Sequence, residues 1–415
     1  MIAQPPRRFV YRQAALEKFG PAVDTLAALL TVGDPLADDL LEATKQLPSG
    51  ALHDLVERAL KLGIDRVPDA PRELKALFAE LDHIPAWVDK HALERGGELL
   101  FRAGWLGGLA LACSLLYGYA SPGGNKPLVF SGRLEQQTPR RLIETSRFVE
   151  ATCHRNGLLR HGEGFAITVK VRLMHAHVRR MIAKSGRWSV EDWGLPANQH
   201  DMGATGLLFS FVVIETLARF GFELSEEERH LYMQLWRYSG YLMGVHPEVL
   251  PAGYLDARRL AELIATTEQG PDDDSRRLSR ALFATGESPR RSTPAAEAKA
   301  RRLVKIGQGL IRGALGEELA DNLDVPRHAY RHVFPVLRGG IARFERATRR
   351  LPEAAQLEIK RRAMRQGQAY WSMMIGAADW ALTFAPPDGL LGLNAKIAAA
   401  ASQRGATLAS VARPR

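Results

Sequence analysis

The chain has 415 residues, 46% of them hydrophobic and 25% charged, which is the composition of a folded globular protein and excludes collagen-like, mucin-like and disordered classes. With 56 basic against 46 acidic residues the formal charge is +10, so polyanions and anionic membrane surfaces stay among the partners to weigh. The two cysteines, Cys113 and Cys153, lie outside any CxxC or CxxCH pattern, which argues against a disulfide framework, a zinc ribbon and a covalent c-type haem and fits a reducing compartment.

At the N-terminus Arg7-Arg8 is followed by no apolar stretch, because Arg12, Glu17 and Lys18 interrupt it; no export signal is read, and a cytoplasmic location is expected. Helical periodicity dominates from there on and no alternating β-branched run reaches strand length, so the fold class is all-α. Residues 1–80 form an expected N-terminal helical cap, with turns at Gly33-Asp34-Pro35, Pro48-Ser49-Gly50 and Pro68-Asp69-Ala70-Pro71. A core region, 81–255, holds the most apolar segments, 105–120 and 204–218. Both fall short of the ~20 residues that span a bilayer and are expected to be buried core helices, with no transmembrane segment. Residues 256–400 are expected to add C-terminal helices, among them 295–319 and 326–350, interrupted by polar stretches at 270–274 and 287–294; residues 401–415 read as a flexible tail. Basic clusters at Arg301-Arg302, Arg349-Arg350 and Lys360-Arg361-Arg362 lie on these helices and read as solvated faces. No nucleic-acid partner is expected, and peripheral membrane contact stays compatible with the charge.

The residues that could carry chemistry fall on two helices. On 164–182, spacings of three, four and seven place His175 on one face with Thr168, Val171, Val178 and Ile182, flanked by Arg172 and Arg179. His177 is rotated by ~200°, so the His-Ala-His pair cannot chelate one metal from a regular helix. Spacing alone leaves His175 either a satisfied core histidine or a ligand to haem or metal. On 140–149, Arg141, Glu144, Thr145 and Phe148 share a face, readable as a polar cluster in a pocket or as an ordinary Arg141–Glu144 pair. Glu227-Glu228-Arg229-His230 is explained by a capping box from Ser225, and Cys153-His154 with His161 lacks a fourth zinc ligand. There is no GxSxG, Walker loop or Rossmann glycine pattern.

Five strings, Ile84-Pro85-Ala86-Trp87-Val88-Asp89, Arg141-Leu142-Ile143-Glu144-Thr145, Val171-Arg172-Leu173-Met174-His175-Ala176, the segment Trp193 to Met202 (WGLPANQHDM) and the segment Leu235 to Val245 (LWRYSGYLMGV), occur together over about residues 80–255. In order and spacing they resemble the rubber oxygenase (latex clearing protein) family, which also includes a fungal endoplasmic-reticulum-bound oxygenase of the mycophenolic acid pathway. The resemblance implies a globin-like multi-helix core binding a noncovalent haem b, and O₂-dependent cleavage of a carbon–carbon double bond. By motif it implies His175 as proximal iron ligand, with Thr168, Val171 and Phe148 against the porphyrin and Arg141 and Thr145 on the distal side. It places Glu144 where rubber-cleaving members carry a lysine. Arg172 and Arg179 are then candidates for the haem propionates, or else face solvent. Asn198, Gln199 and Asp201 divide between scaffold and pocket lining.

The expected function is therefore a haem-dependent oxygenase with O₂ as co-substrate, in which Arg141, Glu144 and Thr145 act on the oxygen. Its expected substrate is a hydrophobic, isoprenoid-like or other alkene-containing small molecule. A non-catalytic haem or gas binder and a basic helical scaffold without cofactor are the alternatives.

Overall fold

The computed structural model describes residues 4–130, 134–287 and 293–376, so most of the polar stretch at 287–294 and the tail at 401–415 lie outside the described residues. Among the described residues there are only helices and turns, as the periodicity predicts. The segments read as helices run Trp105–Tyr119, Leu134–Cys153, Glu163–Lys184, Pro294–Leu315 and Val333–Arg349. The region 295–319 is divided because Gly316 adopts φ 90°, which ends one helix and starts the short Glu317–Asn322. Most of the buried apolar side chains form one core running from Phe9 to Trp371, so the N- and C-terminal helices share the interior of the central region; Val178, Met181 and Ile182, and Ala37, Leu41 and Ala176, form two small separate clusters.

The apolar segment at 204–218 departs from expectation. It is extended backwards to Gln199, and Gln199–Arg219 is 21 residues long and apolar enough to cross a membrane by length and composition, with 44% of its most apolar window buried inside the protein. It breaks at Ser210 (φ −107°, ψ −88°) into Gln199–Phe209 and Phe211–Arg219. Neither glycine nor proline stands at the break; tertiary contacts satisfy the carbonyls it frees. The Ser114 hydroxyl donates to Leu208 O at 2.5 Å and the Tyr232 hydroxyl to Phe209 O at 2.9 Å.

Three of the five strings meet the N-terminal segment in two buried nodes, and a fourth packs against one of them. At the first, Arg172 of the histidine helix (Glu163–Lys184) is bidentate on Asp34 at 2.6 and 2.9 Å, and reaches Glu80 at 2.7 Å and Leu242 O at 3.3 Å. Asp34 also caps the Pro35–Ala43 helix by accepting from Ala37 N. Alongside, Gln199 donates to Gly33 O and Gly244 O, both at 2.9 Å, and accepts from His246 N at 2.7 Å. Gly244 has φ 75°, and a Cβ there would lie 2.6 Å from the Arg172 guanidinium. Trp87 of the first string packs edge-on against Tyr238 and Tyr241 of the last.

At the second node, Arg8 is fully buried and spans Asp201 (2.7 and 2.9 Å) and Glu268 (2.8 Å). Asn198 caps the Gln199–Phe209 helix by accepting from Asp201 N, and donates to Leu195 O and Asp201 Oδ2. Burial alone would raise the Asp201 carboxyl, but the Arg8 charge and the hydrogen bonds from His200 and Arg8 outweigh it and hold it well below the usual range.

Two stability predictions follow from these nodes. Arg172→Met keeps the aliphatic stem but leaves the buried Asp34 carboxylate without its partner; urea unfolding should show a loss of about 3–5 kcal/mol. The depressed Asp201 group contributes stability that is present above the unfolded carboxylate pKa and is lost as pH falls through its folded value. Asp201→Asn should lower the melting temperature at neutral pH and flatten the decline of melting temperature below about pH 4.

Candidate functional site

A cavity of about 1490 Å³ lies inside the helical body, larger than the ~300–1,000 Å³ of common small-molecule sites. Its lining draws on a broad face of the Trp105–Tyr119 helix, including Leu109, Ala112, Leu115 and Tyr119 and, next to them, Leu111, Ser114 and Gly118, while Leu106, Ala110 and Cys113 pack into the core on the remaining face. Small residues leave the room: Gly108, Ala112 and Gly118 take the place of larger side chains.

His175 lines this cavity with Val171, Met174 and Val178 of its own helix. Its Nδ1 is buried without a hydrogen-bond partner, and its Nε2, also free of hydrogen bonds among the described residues, is the nitrogen left open to the cavity. Burial, reinforced by the nearby Arg179 charge, pushes the imidazole down to about 4 against a weaker opposing effect of Asp34. It is thus a neutral ring at pH 7 with a free lone pair in an apolar chamber. His177 does not line the cavity, in accord with the helical rotation, and its Nε2 is buried elsewhere.

The neighbouring helix, Leu134–Cys153, contributes Arg141, Glu144, Thr145 and Phe148 to the same lining. The partner of Glu144 is Arg140, one turn back at 3.0 Å, rather than Arg141. This leaves the Arg141 guanidinium without a side-chain hydrogen bond or ion pair among the described residues. Phe148 stands edge-on to Phe209 and Trp236, whose rings stack at 5.2 Å and 14°, so a flat aromatic wall bounds the chamber.

Three expected cofactor contacts are corrected. Arg172 and Arg179 do not line the cavity: Arg172 is committed to Asp34 and Glu80, and Arg179 to Asp38 at 3.0 Å and to Ala197 O. Both are buried, so each needs its acidic partner more than solvent or a propionate could repay. Thr168 is also turned away, its hydroxyl donating to Gly164 O at 2.6 Å. Of the divided residues, Asn198 and Gln199 are scaffold, and Asp201 both holds Arg8 and lines the cavity.

Sequence reasoning passed over Arg8, Glu268, Phe209, Trp236, Glu215 and Arg219, all in the cavity wall or directly behind it. Arg7-Arg8 is visible as a basic pair, but nothing local announces that Arg8 is buried. The Ser225–Glu228 capping box is present with both halves, as read. The cluster with metal-ligand spacing among the described residues is His200, Asp201 and Glu268, and the Arg8 guanidinium already occupies the charge-pairing position between its two carboxylates.

A neutral imidazole with an open Nε2, an apolar chamber of this size and an aromatic wall fit an iron porphyrin. A rubber oxygenase of Streptomyces sp. (strain K30) is 27% identical over 186 residues, covering 44% of this chain and 45% of that protein's length. The structure of latex clearing protein in the closed state matches with a TM-score of 0.58 at 18% identity, over 82% of this chain and 91% of that one, a likeness of fold. Residues 98–350, more than half of the chain, match the family of ER-bound oxygenase mpaB/B′ and rubber oxygenase catalytic domains, and the protein belongs to that family.

Proposed function

We propose that the protein is a haem b-dependent oxygenase that uses O₂ to act on a hydrophobic, alkene-containing small molecule. The observation that carries this reading is His175: neutral, with Nε2 open to a large apolar cavity whose lining also holds an unpaired arginine, a carboxylate and a hydroxyl. Membership of the oxygenase family supports it.

His175 would hold the iron through Nε2, while Val171, Met174 and Val178 press on the macrocycle face and Phe148, Phe209 and Trp236 keep water out. Activation of O₂ is the chemistry that such a haem supplies when bound. The protein's own contribution is polar and sparse. Arg141, without an ion pair among the described residues, would donate hydrogen bonds into the chamber, where low dielectric strengthens them. Thr145 adds a hydroxyl that donates or accepts. Glu144 accepts from Arg140 and presents its carboxylate to the chamber as a proton acceptor. A carboxylate at this position cannot act as an amine ligand would.

Purified protein should show a Soret band and a b-type pyridine haemochrome near one haem per chain. His175→Ala should lose that haem while its far-ultraviolet circular dichroism stays helical; a mutant with full haem occupancy would sink the assignment. Glu144→Gln should retain haem and lower oxygen consumption with an apolar alkene by about 10²-fold, the lower end of the effect of losing a proton-transfer group. Unchanged kinetics in that variant would remove Glu144 from the reaction.

A further inference from the structure

The charges that line the cavity are unevenly matched. Three of its four carboxylates are ion-paired, Glu144 with Arg140 and both Asp201 and Glu268 with Arg8, while Glu215 accepts from the neutral Tyr254 hydroxyl at 2.5 Å. Its two arginines, Arg141 and Arg219, have no carboxylate partner among the described residues. Arg141 belongs to the chamber of His175. Arg219 is separate from it, on the last turn of the Phe211–Arg219 helix, exposed at the cavity's edge.

The setting of Arg219 is specific. One of its nitrogens donates to Ala314 O at 2.8 Å, and its guanidinium lies 5.9 Å from the Tyr117 ring, which also lines the cavity. Ala314 lies on the Pro294–Leu315 helix, which contributes Leu303, Ile306 and Leu310 to the lining. Leu303 itself is 55% exposed, as are to a similar degree Trp105 and Met374, so apolar lining continues out to the surface. Glu215, one turn before Arg219, is engaged by Tyr254 instead of closing an i,i+4 pair with it. The guanidinium is fixed by a carbonyl that satisfies one donor and neutralises no charge, at the edge of a deep apolar cavity.

We infer that Arg219, with Tyr117 beside it, is the anchor for the carboxylate head of an amphipathic ligand whose hydrocarbon chain runs into the cavity. The guanidinium fork matches a carboxylate in shape and charge, and the apolar wall takes the chain. The substrate class is then a long-chain unsaturated acid in preference to a neutral hydrocarbon. This inference rests on the cavity being the substrate site of the proposed oxygenase, and it adds the head-group chemistry.

The test compares oleate with methyl oleate, which share the chain and differ in the charge, binding to the purified full-length protein at neutral pH by titration calorimetry. Oleate should bind about tenfold more tightly, as for one charge-assisted hydrogen-bonded pair, and the preference should shrink in high salt. Arg219→Gln should abolish the preference and Arg219→Lys should retain most of it; haem content is recorded for every sample. Equal affinity for acid and ester in the wild type, or a preference that survives Arg219→Gln, overturns the anchor. Haem retained without discrimination refutes the anchor alone, whereas discrimination in a protein that binds no haem supports the anchor and refutes the haem reading alone.

Discussion

The bidentate pair of Arg172 with Asp34 is the contact on which the rest of the site is built. It buries a full charge one turn from His175, and it does so by drawing an acid from the N-terminal cap into the interior. The same turn that supplies Asp34 offers Gly33 O to Gln199, and Gln199 in turn ties down Gly244 and His246. Segments far apart in sequence are thereby fixed against one side of the histidine helix. The opposite side of that helix is left to the cavity, and only apolar residues and His175 face it. Were Arg172 and Arg179 on the cavity side, two guanidinium charges would face the chamber and draw water into it, and it would not be apolar.

The second node applies the same logic at another wall. Asp201 and Glu268 line the cavity, and without Arg8 they would place two like charges in an apolar chamber. Arg8 is held there by the backbone of its own segment: Arg8 N donates to Asp192 O, and Val10 N donates to Thr267 O. The N-terminal residues thus serve as internal counter-ions to a cavity built mostly by other parts of the chain. This explains why the core is continuous from Phe9 onward and why an N-terminal cap is too loose a description of residues that reach the cavity wall.

What could be read from the residues follows from what is local. Helix class, the Ser225 cap and the divergence of His175 from His177 depend on rotation and spacing within a few turns, and all are present. The direction of Arg172 and Arg179 was not readable, because both flank the His175 stripe and the choice of side is made by Asp34 and Asp38, more than a hundred residues away. The partner of Glu144 is a closer case: three- and four-residue spacings are both allowed on a helix, and the cavity takes Arg141 while Arg140 takes the carboxylate. The break at Ser210 carries no glycine or proline because Ser114 and Tyr232 satisfy the exposed carbonyls from other helices. The five strings pointed to the family as a set because most of them meet in space, at contacts that no single string reveals.

The distribution of charge also bears on what the chamber can accept. An apolar cavity tolerates a carboxylate best when a partner cancels or hydrogen-bonds it, and each in this lining has one: Arg140 for Glu144, Arg8 for Asp201 and Glu268, and the Tyr254 hydroxyl for Glu215. Arginine is held to the same rule, since its charge persists at any physiological pH and burial does not neutralise it. Arg141, half-buried beside the imidazole, has no ion pair among the described residues, and neither has Arg219, which is exposed at the edge where water can solvate it. On the reading proposed above, Arg141 would meet electron-rich oxygen beside His175 and Arg219 an anionic head at the edge, and the apolar lining between them would favour a hydrocarbon chain joining the two.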